Sequence, residues 1–201
     1  MNTFGRWIGK AAAVAGLALS VSACGINTVP RQDEQVKAAW SQVQNEYQRR
    51  ADLVPNLVNT VKGYAQQERT VLREVIEARA KATSTTVNLP PDVTSNPEAF
   101  QKFEQSQNQL TQALGRLMVV SERYPDLKSN QNFLALQSQL EGTENRITVA
   151  RKDYIDTVQT YNTTLRTIPS RWVAAIFYPD AKVKQVFSAS EPAQTAPHVQ
   201  F

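Results

Sequence analysis

The chain has 201 residues, with 22 Lys and Arg against 18 Asp and Glu and a formal net charge of +4. Two of those cations, Arg6 and Lys10, sit in an N-terminal targeting segment. The remainder is nearly balanced and shows no clustered basic stripe of the kind nucleic-acid binding needs. One cysteine, one histidine (His198) and 7 glycines supply no His/Cys set for a transition metal, no Glu-x-x-His pairs for a di-iron bundle and no Gly-rich phosphate loop.

The first element in chain order is a secretory signal over residues 1–23. A positive start is followed by an apolar run of about 11 residues and then by small residues, which is too short to span a bilayer at about 20 residues. Val21-Ser22-Ala23-Cys24 resembles a bacterial lipobox. In that pattern the thiol takes the lipid, acyl chains such as palmitate are attached, and the chain is cut just before Cys24. The bland alternative is a free, buried cysteine in an ordinary helix. Gly25 is not the aspartate that commonly retains such proteins in the inner membrane, so the expected location is lipid-anchored on the extracytoplasmic side, at the outer membrane if the cell has one. Residues 24–32 are expected as a tether, 33–187 as a helical domain and 188–201 as a flexible tail.

Scarce glycine and plentiful Gln, Ala and Leu favour helices. Alternating steps of four and three from Val36 give Val36, Trp40, Val43, Tyr47, Arg50, Val54, Leu57, Val61, Tyr64, Glu68, Val71, Val75, Ala78 and Ala82, nearly all apolar or aromatic, which predicts a packing seam. The phase does not slip at Pro55, which lies opposite the seam, so one long helix over 33–82, kinked at Pro55, is favoured over a break there. Asp33 and Glu34 read as first-turn charges of that helix. Residues 83–96 are rich in Thr, Ser and Pro and predict a loop. Ser95 with Glu98 fits a capping box and Pro97 suits a first helical turn. The second helix has the seam Phe100, Phe103, Gln107, Leu110, Leu114, Leu117, Ser121 and Tyr124, and Pro125 ends it. A short turn leads to a third helix with Phe133, Leu140, Ile147, Tyr154, Tyr161 and Ile168 seven apart, stopped by Pro169. The expected fold is all-α: an antiparallel up-and-down bundle of three long helices, with any fourth coming from a break at Pro55 or from a short C-terminal helix.

The stretches RRADLVPNLVNTVKGYAQQE (49–68) and YPDLKSNQNFLALQSQLEGTENRI (124–147) resemble the LemA family. ARKDY (150–154), YNTTLRTIP (161–169) and the ending APHVQF are similar to it as well. The resemblance covers about residue 36 to the end and implies a helical bundle held at a bacterial membrane, with a role that is largely undefined. The chain departs from the family pattern in having a lipobox where many members have a spanning helix, in having Gln67 where histidine is common, and in having Ile155 where asparagine is frequent.

Polar residues interrupt the seams at Arg50, Glu68, Glu144 and Arg151, with Asp52, Asn56, Asn145 and Arg146 nearby. They read either as a pocket for a small ligand or, as is favoured, as a satisfied network fixing helix register, with Arg50 within reach of Glu144. No residue is assigned to catalysis, to metal binding or to a cofactor. Trp172, Ile176, Phe177 and Tyr178 form an apolar concentration. It either folds back over the bundle end, docks a partner, or dips into a membrane interface, where Trp and Tyr are enriched. Four alternating helices bring this segment back toward the anchor; three leave it at the distal end. The expected function is a non-enzymatic scaffold or interaction module of the cell envelope, tethered to the membrane through Cys24, with an unidentified envelope protein partner and a homo-oligomer open. The alternative is a small-ligand or lipid-binding bundle. A role in envelope stress or as a protease adaptor is compatible, but no residue points to it.

Overall fold

A computed structural model of the chain describes residues 26–188; Cys24, His198 and nearly all of the expected tail lie outside them. The helices are α1 (Thr28–Tyr64), α2 (Arg69–Val87), α3 (Pro97–Ser121), α4 (Pro125–Lys128), α5 (Gln131–Arg166) and α6 (Ser170–Phe177), with a 3-10 turn at Val93–Ser95. There is no strand among the described residues. The fold is an all-α helical bundle. Its described residues form two compact units: residues up to Ala38 with Asp156–Lys184, and Ala39–Ile155 with residues from Gln185 on.

The long helices of the larger unit, α1, α2, α3 and α5, alternate in direction. Arg79 of α2 donates to the Ala51 carbonyl of α1 at 2.8 Å, so the chain doubles back after Tyr64. Arg116 of α3 pairs with Glu74 of α2 at 3.2 Å, while Gln107 reaches Thr86 at 3.2 Å, so α3 runs antiparallel to α2. Asn130, at the start of α5, donates to the Tyr64 hydroxyl at 2.8 Å, and Glu144 meets Arg50, so α5 runs antiparallel to α1.

This corrects the expected single helix over 33–82. Its two parts, α1 and α2, are separate helices, and the break is not at Pro55. That proline is exposed within a continuous α1, where its ring faces water rather than a neighbouring helix. The turn falls at residues 65–68, and the α1 seam is buried from Val36 through Val61. Glu68 is held from across the bundle by Arg123 at 2.9 Å and by the Tyr124 hydroxyl at 3.1 Å, and Ala65 is fully buried. The 37-residue α1 is therefore about 55 Å long rather than the roughly 75 Å of an unbroken 33–82 helix.

Three further expectations shift. α1 starts at Thr28, inside the stretch expected as tether and upstream of Asp33, because Val29 is buried and Pro30 is tolerated in a first turn. The expected loop at 83–96 is helical through Val87. Thr86 donates back to the Ala82 carbonyl at 2.9 Å and is packed under Gln107, so tertiary contact overrides weak threonine propensity. The α3 cap is Asn96, whose Oδ1 accepts from the Ala99 N–H at 3.2 Å, and not Ser95. Asn96 precedes Pro97, which restricts it to extended backbone, and an N-cap residue needs that conformation.

Two cores fill the larger unit. One is aliphatic, with Val54, Leu57, Val61, Leu110, Leu114, Leu117 and Leu140 among its buried members. The other is aromatic. Trp40 lies 5.0 Å from Phe103, 5.4 Å from Tyr154 and 6.2 Å from Phe187 between ring centroids. Phe187 enters because the segment after residue 184 is pinned: the Gln185 N–H donates to the Thr94 carbonyl at 2.7 Å and the Tyr154 hydroxyl to the Gln185 carbonyl at 2.9 Å.

The smaller unit joins the start of α1 to the end of α5. Asp33 pairs with Lys184 at 2.8 Å and with Lys37 at 3.0 Å. Asn162 grips the Lys184 backbone at both sides, accepting its N–H at 2.8 Å and donating to its carbonyl at 2.9 Å. Burial pushes the Asp33 carboxyl up, but bonds from Lys184 and Lys37 outweigh it and leave it below its ordinary value. α6 belongs to this unit.

Candidate functional site

Between the aromatic and aliphatic cores lies a polar layer built on Arg50. Its heptad position is otherwise apolar, so the helix delivers its guanidinium inward, and the residue is only 1% exposed. A buried charge must be paired and hydrogen-bonded. Nη1 donates to Thr111 Oγ1 at 2.7 Å and to Glu144 Oε1 at 3.0 Å. Nη2 donates to the Gln107 carbonyl at 3.1 Å and to Gln107 Oε1 at 2.8 Å. Four of the five guanidinium N–H groups are thereby engaged, and Nε has no protein partner. The guanidinium also lies 4.9 Å from the Tyr47 ring centroid. Gln107 continues the chain of bonds by donating to Thr86. One side chain from α1 is thus tied to α2, α3 and α5.

The remaining expected polar residues do not join this layer. Glu68 holds the turn at 65–68, as described. Arg151 forms a second cluster: it lies 3.7 Å from Glu104, stands 4.3 Å over the Phe187 ring and donates to the Ser188 carbonyl at 3.5 Å. Asp52, Asn56, Asn145 and Arg146 are exposed. Asp52 accepts from Gln48 at 2.7 Å, and Arg146 donates to the Gly142 carbonyl of its own helix at 3.2 Å. Sequence reading missed Gln107, Thr111, Thr86 and Glu104 as partners. Gln107 carried a readable signal, a polar residue at a seam position. Thr86 and Thr111 carried none, being off the seams.

A model of the LemA family matches residues 39–201. The chain belongs to the LemA family. It is 24% identical over 165 residues to Protein LemA of Metamycoplasma hominis, covering 82% of this chain and 69% of that protein. It is also 38% identical over 64 residues to two proteins of Paramagnetospirillum magneticum, magnetosome proteins MamQ 1 and MamQ 2. Those matches span 32% of this chain and 24% of each relative. The two long LemA-like stretches meet in space. Residues 49–68 bring Arg50 and Glu68, and residues 124–147 bring Tyr124 and Glu144 to them. Gln67, at the departure from the LemA pattern, is exposed and accepts from the Tyr124 hydroxyl at 3.4 Å.

A groove of about 550 Å³ opens beside the turn between α1 and α2. Val58, Leu72 and Ile76 give it apolar walls, and Lys62, Arg69 and Arg73 add cations. No Arg50-layer residue lines it. Among the described residues no group of His, Cys, Asp and Glu has metal-site geometry, and no helix is long and apolar enough to cross a membrane.

Proposed function

We propose that this LemA-family chain is a cell-envelope lipoprotein, held on the extracytoplasmic side by acyl groups on Cys24, whose bundle serves as a non-enzymatic scaffold for an envelope protein partner. One observation carries the scaffold reading: four of the five N–H groups of the buried Arg50 guanidinium are engaged in bonds that tie α1 to α3 and α5 and, through Gln107, to α2. Such a layer fixes the register of these helices against one another. Tethering rests on the order of charge, apolar run and small residues before Cys24.

Intact-mass spectrometry of the protein extracted from membranes tests the tether. The expected product begins at residue 24 and carries acyl groups; an uncut chain with an unmodified thiol refutes it. Crosslinking in intact envelopes tests the scaffold, with a discrete heteromeric adduct expected and monomer alone counting against it. A second reading, binding of an anionic amphiphile, is favoured by the groove near Lys62, Arg69 and Arg73, whose apolar walls and cations suit an acyl chain with an acidic head.

A further inference from the structure

The smaller unit exposes an apolar stripe that its own packing leaves uncovered. Trp172 and Ile176 stand four apart on α6 and so share a face, at 61% and 72% exposure. Ile168, just before the helix, is 63% exposed and Phe177, at its end, 55%. Ala174 is buried and fixes the opposite face inward. Tyr178, expected with this group, is half-buried instead. Arg166, Arg171 and Lys182 are exposed along the same stretch, with Asp180 the one acid beside them. Contiguous exposed apolar side chains of this size mark a contact surface; cations around them suit anionic headgroups.

The position of the stripe selects its occupant. α1 leaves this unit after Ala38, and α5 enters it before Asp156. Within the unit, Lys184 pairs with Asp33 near the start of α1 and its backbone is held by Asn162 near the end of α5, so Thr28 and Arg166 belong to the same part of it, and α6 follows Arg166 by a few residues. Cys24 precedes Thr28 by four residues, a reach of at most about 14 Å. With Cys24 acylated as proposed above, this end of the unit is held against the bilayer.

We propose that α6 is a membrane-interface element whose Trp172, Ile176 and Phe177 insert at the headgroup boundary of an anionic phospholipid surface beside the lipidated N-terminus. This rests on the tether proposed above, and the test separates the two. Trp7 leaves with the signal, Trp40 is buried in the aromatic cluster, and Trp172 is the reporter. The full chain is purified from bacterial membranes and reconstituted into phosphatidylcholine–phosphatidylglycerol vesicles with brominated acyl chains, and its fluorescence is compared with that of W172F. The difference isolates Trp172 whether or not Trp7 is still attached. Quenching of the Trp172 share is expected. A chain that floats with the vesicles while Trp172 stays unquenched overturns the proposal, leaves the tether standing and hands the stripe to a protein partner. If the chain proves unacylated, it is added to the same vesicles from solution: quenching still upholds α6 docking, and its absence overturns it. For the unacylated Cys24→Ser chain starting at residue 24, the variant I176S/F177S is expected to partition into vesicles roughly tenfold or more weakly. Unchanged helicity by circular dichroism separates that effect from misfolding, and unchanged partitioning counts against the proposal.

Discussion

Glu144→Ala probes the polar layer with the least collateral damage, because it removes a surface-facing carboxylate and leaves Arg50 in place. The guanidinium, 1% exposed in the intact protein, then loses its counter-charge, while its bonds to Thr111 and Gln107 survive. A hydrogen bond to a charged group contributes about 1.5–3 kcal/mol. Because the Glu144 side chain is 38% exposed, water screens the pair and part of the loss is recovered; the expected cost is about 1.5–2 kcal/mol. Arg50→Ala is worse. It opens a cavity and leaves the buried Gln107 Oε1 without its 2.8 Å donor, for about 3–5 kcal/mol. The double variant is expected to cost less than the sum of the singles by about 1–2 kcal/mol, the signature of direct coupling. Urea unfolding followed at 222 nm measures all three. For a domain of this size the Glu144 change corresponds to a melting temperature lower by roughly 3–8 °C. A Glu144→Ala effect under about 0.5 kcal/mol, or strict additivity in the cycle, refutes the reasoning.

Asn96→Ala is expected to destabilise by about 1 kcal/mol through loss of the α3 cap, and Ser95→Ala by under about 0.5 kcal/mol; the reverse order by thermal melting restores the Ser95 capping box. Gly115 is exposed in mid-α3, and an added Cβ there meets no atom within 4 Å. Gly115→Ala is therefore expected to stabilise by about 0.5–1 kcal/mol, read as a higher melting temperature, and a lower one argues against the α3 geometry. Burial and the nearby Asp33 carboxylate push the Tyr161 phenol up to about 12, with Lys37 pulling it back. The fold therefore favours the neutral phenol. Its stabilisation is complete below the ordinary tyrosine value near 10 and is lost as pH rises toward about 12. Phenolate absorbance at 295 nm, compared with Tyr161→Phe, is expected to stay flat near pH 10; ionisation there with helicity intact contradicts the burial.

The helical seams were legible because burial imposes a period. Phe100, Phe103, Leu110, Leu114 and Leu117 on α3, and Phe133, Leu140, Ile147, Tyr154 and Tyr161 on α5, are all buried. Arg50 was legible as an intruder in such a seam, and so was its reach to Glu144. The wider site was not. Glu68 and Arg151 carry the same seam signal as Arg50, yet one clamps a turn and the other a C-terminal segment. Periodicity reports which face is covered, not which helix covers it. The turn at 65–68 was hidden for a related reason: Val61, Tyr64, Glu68 and Val71 keep the heptad step straight across it, and no Gly or Pro marks residues 65–68.

Local chemistry therefore determined this chain's class by itself. Spaced apolar residues dictate amphipathic helices, and prolines at 97, 125 and 169 bound them. Only the tertiary structure decided that the first long seam folds into a hairpin, that Asn96 caps α3, and that one guanidinium joins four helices. Each of these depends on groups far apart in sequence, such as Glu68 with Arg123 or Arg50 with Gln107, whose bonds exist only once the helices are packed.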